Sequence, residues 1–368
     1  MSSIDQQKKL VKRICQKYQN SPWLPLSQLQ KTTSLDTPAR GGVWISRTSF
    51  SAPTNPAIRD VLYTVMHRLK KEYHRISPAE ETPVIDVGVE FIGPRSQVPD
   101  DAPEPDLLEE EKLRALLQEC HSGMIILYAY GAPLVCRSTL PQRKQTHLLI
   151  ASHSFSSPAQ YRASSVRLAK LTGARVASIK YRLAPSHTFP APILDILIAY
   201  ASLLYHPPGA FYPAVPANQI ILAGISAGAN LTLGLMKFLL ELQKLSPSDA
   251  TFDFHGQSVT LPLPAGLAIP ACMPGHPTDS LWPASPPREV PYCVAVTVDH
   301  ELFACGCEER GVDGNRVVAS QAAKSGVTVI WNDQVGIAPL PLEDVKKRMK
   351  EYNATRSVWT GRLHEHKL

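Results

Sequence analysis

Apolar positions recur most regularly from Pro158 onward. PAQYRASSVRLAKLTG (158–173) spaces its apolar residues for a helix and closes on a glycine, the residue best suited to ending one. ARVASIKY (174–181) reads as a strand, and PAPILDILIAYASLLY (190–205) as a helix with prolines in its first turn. NQIILAG (218–224) is a further strand, and SAGANLTLGLMKFLLELQKL (226–245) a long helix with an apolar face. Strand and helix alternating over short connections predict a mostly parallel sheet covered by helices, an α/β architecture.

Upstream the pattern is less even. Residues 1–55 are polar and irregular, punctuated by SLDTPARGG and SFSAPTNPA. AIRDVLYTVMHRLKKEY (57–73) has helical spacing, VIDVGVEFIG (84–93) alternates like a strand, and IILYA (125–129) reads as a short buried strand. PDLLEEEKLRALLQE (105–119) reads as a surface helix whose acidic start suits the helix dipole. Downstream, the proline-rich stretch 261–293 reads as a long loop or cap segment. VAVTV (294–298) and GVTVIW (326–331) are expected strands around a helix-like DGNRVVASQAAKSG, with a charged helix over 342–356.

Composition narrows the function classes. Charged residues are 19% and hydrophobic ones 44% of the 368, as in a globular chain. The net charge of +6 is spread without a run of five like charges, which argues against a nucleic-acid partner. The start is too polar for a signal peptide, and the apolar run ILDILIAYASLL is too short to span a bilayer. Seven scattered cysteines fit a reducing compartment, so a cytoplasmic location is expected. Cys305 and Cys307 have no second pair at ligand spacing, so neither a metal nor a cofactor is expected.

Gly224-Ile225-Ser226-Ala227-Gly228 is a G-x-S-x-G. A strand runs into the serine and a helix runs out, the setting of a nucleophile elbow. Ser226 is therefore expected at the apex of a turn, between a strand ending near Ala223 and a helix starting near Ala227. The flanking glycines relieve crowding there, and the Ala227 amide at the helix start would face an oxyanion.

From Y-R-L-A-P at 181–185 through F-P-A at 189–191 to G-I-S-A-G-A-N, the chain closely resembles fungal α/β-hydrolases of the hormone-sensitive-lipase type. LPLPAGLAI, WPASPPREVPYC and DGNRVVASQAAKSGVTVIW resemble further segments of that family in the same order. The resemblance runs in blocks from about Val84 to Met349. It implies an α/β-hydrolase fold over 84–349, an N-terminal extension or cap segment over 1–83, a contracted or irregular cap, and a tail over 350–368. It also implies an ester or lactone hydrolase acting on a small apolar metabolite, polyketide- or terpenoid-like, in fungal secondary metabolism.

The same resemblance exposes departures. The family's oxyanion motif, H-G-G-G, falls on Tyr130-Gly131-Ala132-Pro133, followed by an insertion of about 135–155. Proline has no N–H to offer, and a Cβ at Ala132 hinders close backbone approach. Ile225 stands where the family has aspartate, and Ala229 where it has glycine. The triad acid falls on Glu309, for which a solvated surface charge is the competing reading. The family's P-H-x-F segment has no counterpart after GVTVIW, so the triad histidine is missing.

Ser226 is thus the candidate nucleophile, Glu309 the orienting acid, and Gly131, Ala132 and Ala227 the oxyanion and binding positions. His300, after VAVTVD, ranks ahead of His187 as a substitute base. Two alternatives stand beside the hydrolase: a non-hydrolytic, binding or cyclase-like protein, and an inactive degenerate member of the fold. The sequence leaves the oligomeric state open.

Overall fold

A computed structural model describes residues 26–73, 81–131, 156–184, 186–272, 300–306 and 329–334. Its centre is an eight-stranded sheet. In chain order the strands are β1 (Val43–Phe50), β2 (Val87–Pro94), β3 (Ile125–Ala129), β4 (Arg175–Lys180), β5 (Ile220–Ser226), β8 (Gly266–Cys272), β9 (His300–Gly306) and β10 (Val329–Gln334). Across the sheet they lie in the order β1-β2-β4-β3-β5-β8-β9-β10. β1 and β2 pair antiparallel, as do β2 and β4. From β4 to β10 every pairing is parallel.

The described helices are α1 (Leu26–Thr33), α2 (Ala57–Tyr73), α3 (Glu109–Glu119), α4 (Arg162–Thr172), α5 (Ala191–Leu204) and α6 (Ala227–Leu242). A single turn (Pro247–Ala250) precedes a small hairpin of β6 (Phe252–Phe254) and β7 (Gln257–Val259). α4 ends on Gly173 in the left-handed region, φ 70°. It starts at Arg162, because residues 158–161 form a tighter 3₁₀ turn. α5 is buried all round from Ala191 to Leu203, which matches its unbroken apolar sequence. α6 packs on α5 and lies along β3, β5 and β8, while α3 and α4 cover β1, β2 and β4.

The helix expected at 57–73 and the strand expected at 125–129 are present, and the helix expected at 105–119 is present from Glu109. Two expectations need correcting. The irregular N-terminal stretch contains β1, which pairs with β2 over its whole length, so the segment 1–83 supplies an edge strand of the sheet. The proline-rich stretch contains β8, where the register with β5 shifts between Ala223 and Ile225. Ile269 and Pro270 fall in that bulge, where a missing N–H costs no ladder bond. The described part of GVTVIW, from Val329, is strand as expected, and that strand runs on to Gln334. The strand expected at 294–298, the helices expected at 313–326 and 342–356, and the insertion at 135–155 lie outside the described residues.

Two groups of buried charges tie loops to this core. Arg162 is 7% exposed; its Nε donates to Glu90 at 2.8 Å and its Nη1 to the Thr37 carbonyl, and it pairs with Asp36. Arg47 pairs with Asp36 at 2.9 Å and with Glu104, and Lys112 reaches Glu104 at 3.2 Å and Glu109 at 2.9 Å. Separately, Arg182 and Asp195, 7% and 1% exposed, form an ion pair at 2.7 Å. Removing one partner of such a pair leaves a buried charge uncompensated. We expect Asp195→Ala to lower unfolding free energy by about 3–5 kcal/mol in urea titrations.

Burial alone would raise the Glu104 carboxyl, but Arg47, the Ala39 amide and Lys112 outweigh it and hold the group at about 2. A depressed carboxylate stabilises the fold above its unfolded value and loses that contribution as pH falls toward the folded one. Melting temperatures of wild type and Glu104→Gln should therefore converge as pH drops from neutral toward about 2. A gap that stays constant across that range would show that Glu104 is not held down by its partners.

Candidate active site

β5 delivers Ser226 and α6 begins at the next residue, Ala227. The serine has φ 53° and ψ −117°. For a residue with a Cβ this region costs about 1–3 kcal/mol, so it persists only where the surroundings impose it. Those surroundings are backbone. A Cβ on Gly224 would lie 2.5 Å from the Gly228 carbonyl. A Cβ on Gly228 would lie 2.0 Å from the Ala129 oxygen and 2.5 Å from the Tyr130 oxygen. The turn is folded onto itself and pressed against the end of β3, and side-chain-bearing residues do not fit at either glycine.

The chain leaving β3 runs beside the serine. A Cβ on Gly131 would lie 2.5 Å from the Ile225 oxygen and 3.0 Å from the Ser226 Cβ. Gly131, Ser226 and Ala227 are therefore close together. The Ser226 hydroxyl does not cap α6. It is closed to solvent and has no hydrogen-bond partner among the described residues. A buried hydroxyl left without a partner costs about 1–3 kcal/mol.

Around this point stands a group of four tyrosines, two of which, Tyr128 and Tyr161, the sequence did not single out. Tyr130, 1% exposed, stacks on Tyr181 with ring centroids 4.4 Å apart and on Tyr161 at 6.1 Å. Tyr128 leans on Tyr161 at 6.3 Å. The Tyr181 hydroxyl donates to the Tyr130 carbonyl at 2.7 Å. Burial pushes the hydroxyls of Tyr128, Tyr130 and Tyr181 up and that of Tyr161 up to about 12. None of these four is a phenolate near neutral pH, so none serves as the base. In the sequence, Tyr130 stands at the histidine position of the oxyanion motif and Tyr181 opens Y-R-L-A-P, whereas Tyr128 and Tyr161 carried no such signal.

The other expected residues fall differently. Ala132 and Glu309 lie outside the described residues. His300 opens β9 opposite Gly266, whereas Ser226 pairs with Cys272 at the other end of β8. At about 3.3 Å per residue, Gly266 to Cys272 spans roughly 20 Å. His300 thus starts a parallel strand at the amino edge of the sheet, while Ser226 ends one at the carboxyl edge. The ranking of His300 ahead of His187 is overturned. His187 follows β4 on the carboxyl edge but is exposed, and the Ser226 hydroxyl bonds to no described histidine. No cluster of metal-ligating side chains occurs among the described residues, nor does a helix long and apolar enough to cross a membrane.

Residues 152–270 match the Abhydrolase_3 family, described as an alpha/beta hydrolase fold. An acetyl-hydrolase of Streptomyces hygroscopicus is 34% identical over 99 residues, which are 27% of this chain and 31% of that protein. An esterase of Acinetobacter venetianus is 29% identical over 192 residues, 47% of this chain and 61% of that protein. The chain thus spans less than two thirds of either relative. Among solved structures, a mutant of the esterase E40 superposes with a TM-score of 0.56 at 15% identity, covering 98% of this chain and 100% of that one. The LAE6 mutant, an alpha/beta hydrolase enzyme from the metagenome of Lake Arreo, gives 0.51 at 13% identity over 94% and 93%. The chain has the α/β-hydrolase fold.

The orphan hydroxyl has a consequence for stability. Ser226→Ala removes a desolvated group that bonds to nothing described, so the variant should gain up to about 1–3 kcal/mol. Chemical denaturation of the two proteins measures this, and a loss of stability would mean that the hydroxyl has a partner.

Proposed function

We propose that the chain is a serine ester hydrolase of the hormone-sensitive-lipase type, with Ser226 as nucleophile. The observation that carries this reading is a serine held at φ 53° between strand and helix, its buried hydroxyl neither capping the helix nor bonded to a described group. Such strain and desolvation are costs to folding, and reactive sites are where they are retained. The Abhydrolase_3 match and the named esterase and acetyl-hydrolase relatives support the same reading.

In this mechanism the Ser226 Oγ attacks an ester carbonyl, forming an O–C bond while the carbonyl oxygen gains negative charge. The N–H groups of Ala227 and Gly131 hold that oxygen, with the start of α6 adding its dipole. Collapse of the intermediate breaks the bond to the alkoxide, which takes up the proton released by the serine through a base. Water then cleaves the acyl-enzyme. Glu309 would orient the base by analogy with the acid of a serine triad. His300 is not proposed as the base, since its backbone lies at the opposite edge of the sheet from Ser226.

The substrate class, a small apolar ester or lactone of polyketide or terpenoid kind in fungal secondary metabolism, is supported by the sequence resemblance alone. A second reading, a non-hydrolytic or inactive member of the fold, is favoured by the lack of a base bonded to the Ser226 hydroxyl among the described residues. A fluorophosphonate probe separates the two. Wild type should be phosphonylated on Ser226 with loss of fluoride, Ser226→Ala should not, and short p-nitrophenyl esters should turn over poorly. Loss of the base accounts for about 10⁶ in rate where this was measured in a serine protease. Absence of label on Ser226 defeats the hydrolase reading. Label without turnover supports the non-hydrolytic one.

A further inference from the structure

The Tyr130 carbonyl and the Gly131 N–H belong to one peptide group. The one cis peptide among the described residues is Phe189-Pro190, so the Tyr130–Gly131 bond is trans. In a trans peptide the C=O and the next N–H point in opposite directions, so whatever fixes one fixes the other. The carbonyl is fixed from two sides. Tyr181 donates its hydroxyl to it at 2.7 Å, and the oxygen abuts Gly228, where a Cβ would come within 2.5 Å of it. The ring of Tyr181 stacks on that of Tyr130 at 4.4 Å and 19°, which leaves the donor little freedom to move.

We infer that Tyr181 is a positioning residue for the oxyanion site: its hydroxyl sets the Tyr130–Gly131 peptide so that the Gly131 N–H faces away from Tyr181 and toward the reacting carbonyl at Ser226. The inference rests on the hydrolase reading above and adds a residue to it. Burial keeps the Tyr181 hydroxyl protonated, so it remains a donor across the working pH range. The reason for a tethered peptide lies in the departures at this loop. Pro133 offers no N–H, and Gly131 is the residue of this loop that the described residues place against Ser226. A donor that turns freely about its peptide stabilises developing charge poorly, because reorientation must accompany the reaction.

The test compares Tyr181→Phe with Tyr200→Phe. Tyr200 also donates a buried hydroxyl to a backbone carbonyl, that of Pro262, at 2.7 Å, but on a different part of the fold. Both variants lose one buried hydrogen bond, so both should lower the melting temperature by similar amounts. Only Tyr181→Phe should slow fluorophosphonate labelling of Ser226, by about tenfold to a hundredfold, since loss of one oxyanion donor outright costs about 10²–10³. Equal labelling rates for the two variants and wild type overturn the inference while leaving the hydrolase reading intact. Equal slowing in both variants also overturns it, since it would show only general loosening. If wild type itself is not labelled, the hydrolase reading fails. The tether is then judged by crystal structures of wild type and Tyr181→Phe: a Tyr130–Gly131 peptide that turns in the variant upholds it, and one that stays in place overturns it.

Discussion

No side chain fits between the start of α6 and the end of β3, and the rest of the site depends on that contact. The oxygens of Ala129 and Tyr130 stand where a Cβ on Gly228 would be. Because α6 approaches so closely, the turn that links it to β5 has no room for a relaxed conformation at residue 226. The serine takes the left-handed φ, and its side chain is turned away from the capping position a serine before a helix normally fills. The strain at Ser226 is thus a result of packing between two backbones. It needs no partner for the hydroxyl, and none is found among the described residues.

Buried charges hold the frame around this contact. Arg182 accepts no role in the chemistry, yet it joins the loop after β4 to α5 through Asp195 and reaches the Pro83 carbonyl at 2.8 Å. That loop starts with Tyr181, whose hydroxyl meets the Tyr130 carbonyl. The ion pair and the tyrosine tether are adjacent in sequence, and a shift of one displaces the other. On the far side, Arg162 binds the segment around Asp36 and Thr37 to Glu90 of β2. Such pairs are weak sources of net stability, since desolvation offsets much of their attraction. Their geometric demands are strict, which suits them to fixing where a loop lies.

The parts of the fold legible in the sequence are those where one physical signal dominates. The helix at Ala57–Tyr73 and the strand at Ile125–Ala129 follow from apolar spacing alone, and Ser226 from glycines placed between an apolar strand and an apolar helix. β8 was hidden because Pro270 reads as a strand breaker, and only the neighbouring strand shows that it falls in a bulge. β1 was hidden because VWISRTSF mixes charge with apolar residues, and the partners of Arg47 come from distant segments. His300 was misplaced because the expected strand VAVTV put it after a strand, whereas it begins one. In a parallel sheet that difference moves a residue from one edge to the other.

Under the function proposed above, the two halves of serine catalysis separate among the described residues. One half is preorganisation: a strained turn, backbone donors and a helix start, all set by residues 129–131 and 224–228. The other is proton transfer, which needs an imidazole within about 2.6–3.2 Å of the hydroxyl. In a protease stripped of its triad, the first half alone still accelerates hydrolysis by about 10³–10⁴ over water. That residue of catalysis comes from donors that do not have to move. Under the function proposed above, in which the base contributes little, the closeness of Gly131 to Ser226 and the tether on its peptide therefore matter more than in a site with a complete triad. Where the base contributes least, the fixed dipoles carry the largest share of whatever rate remains.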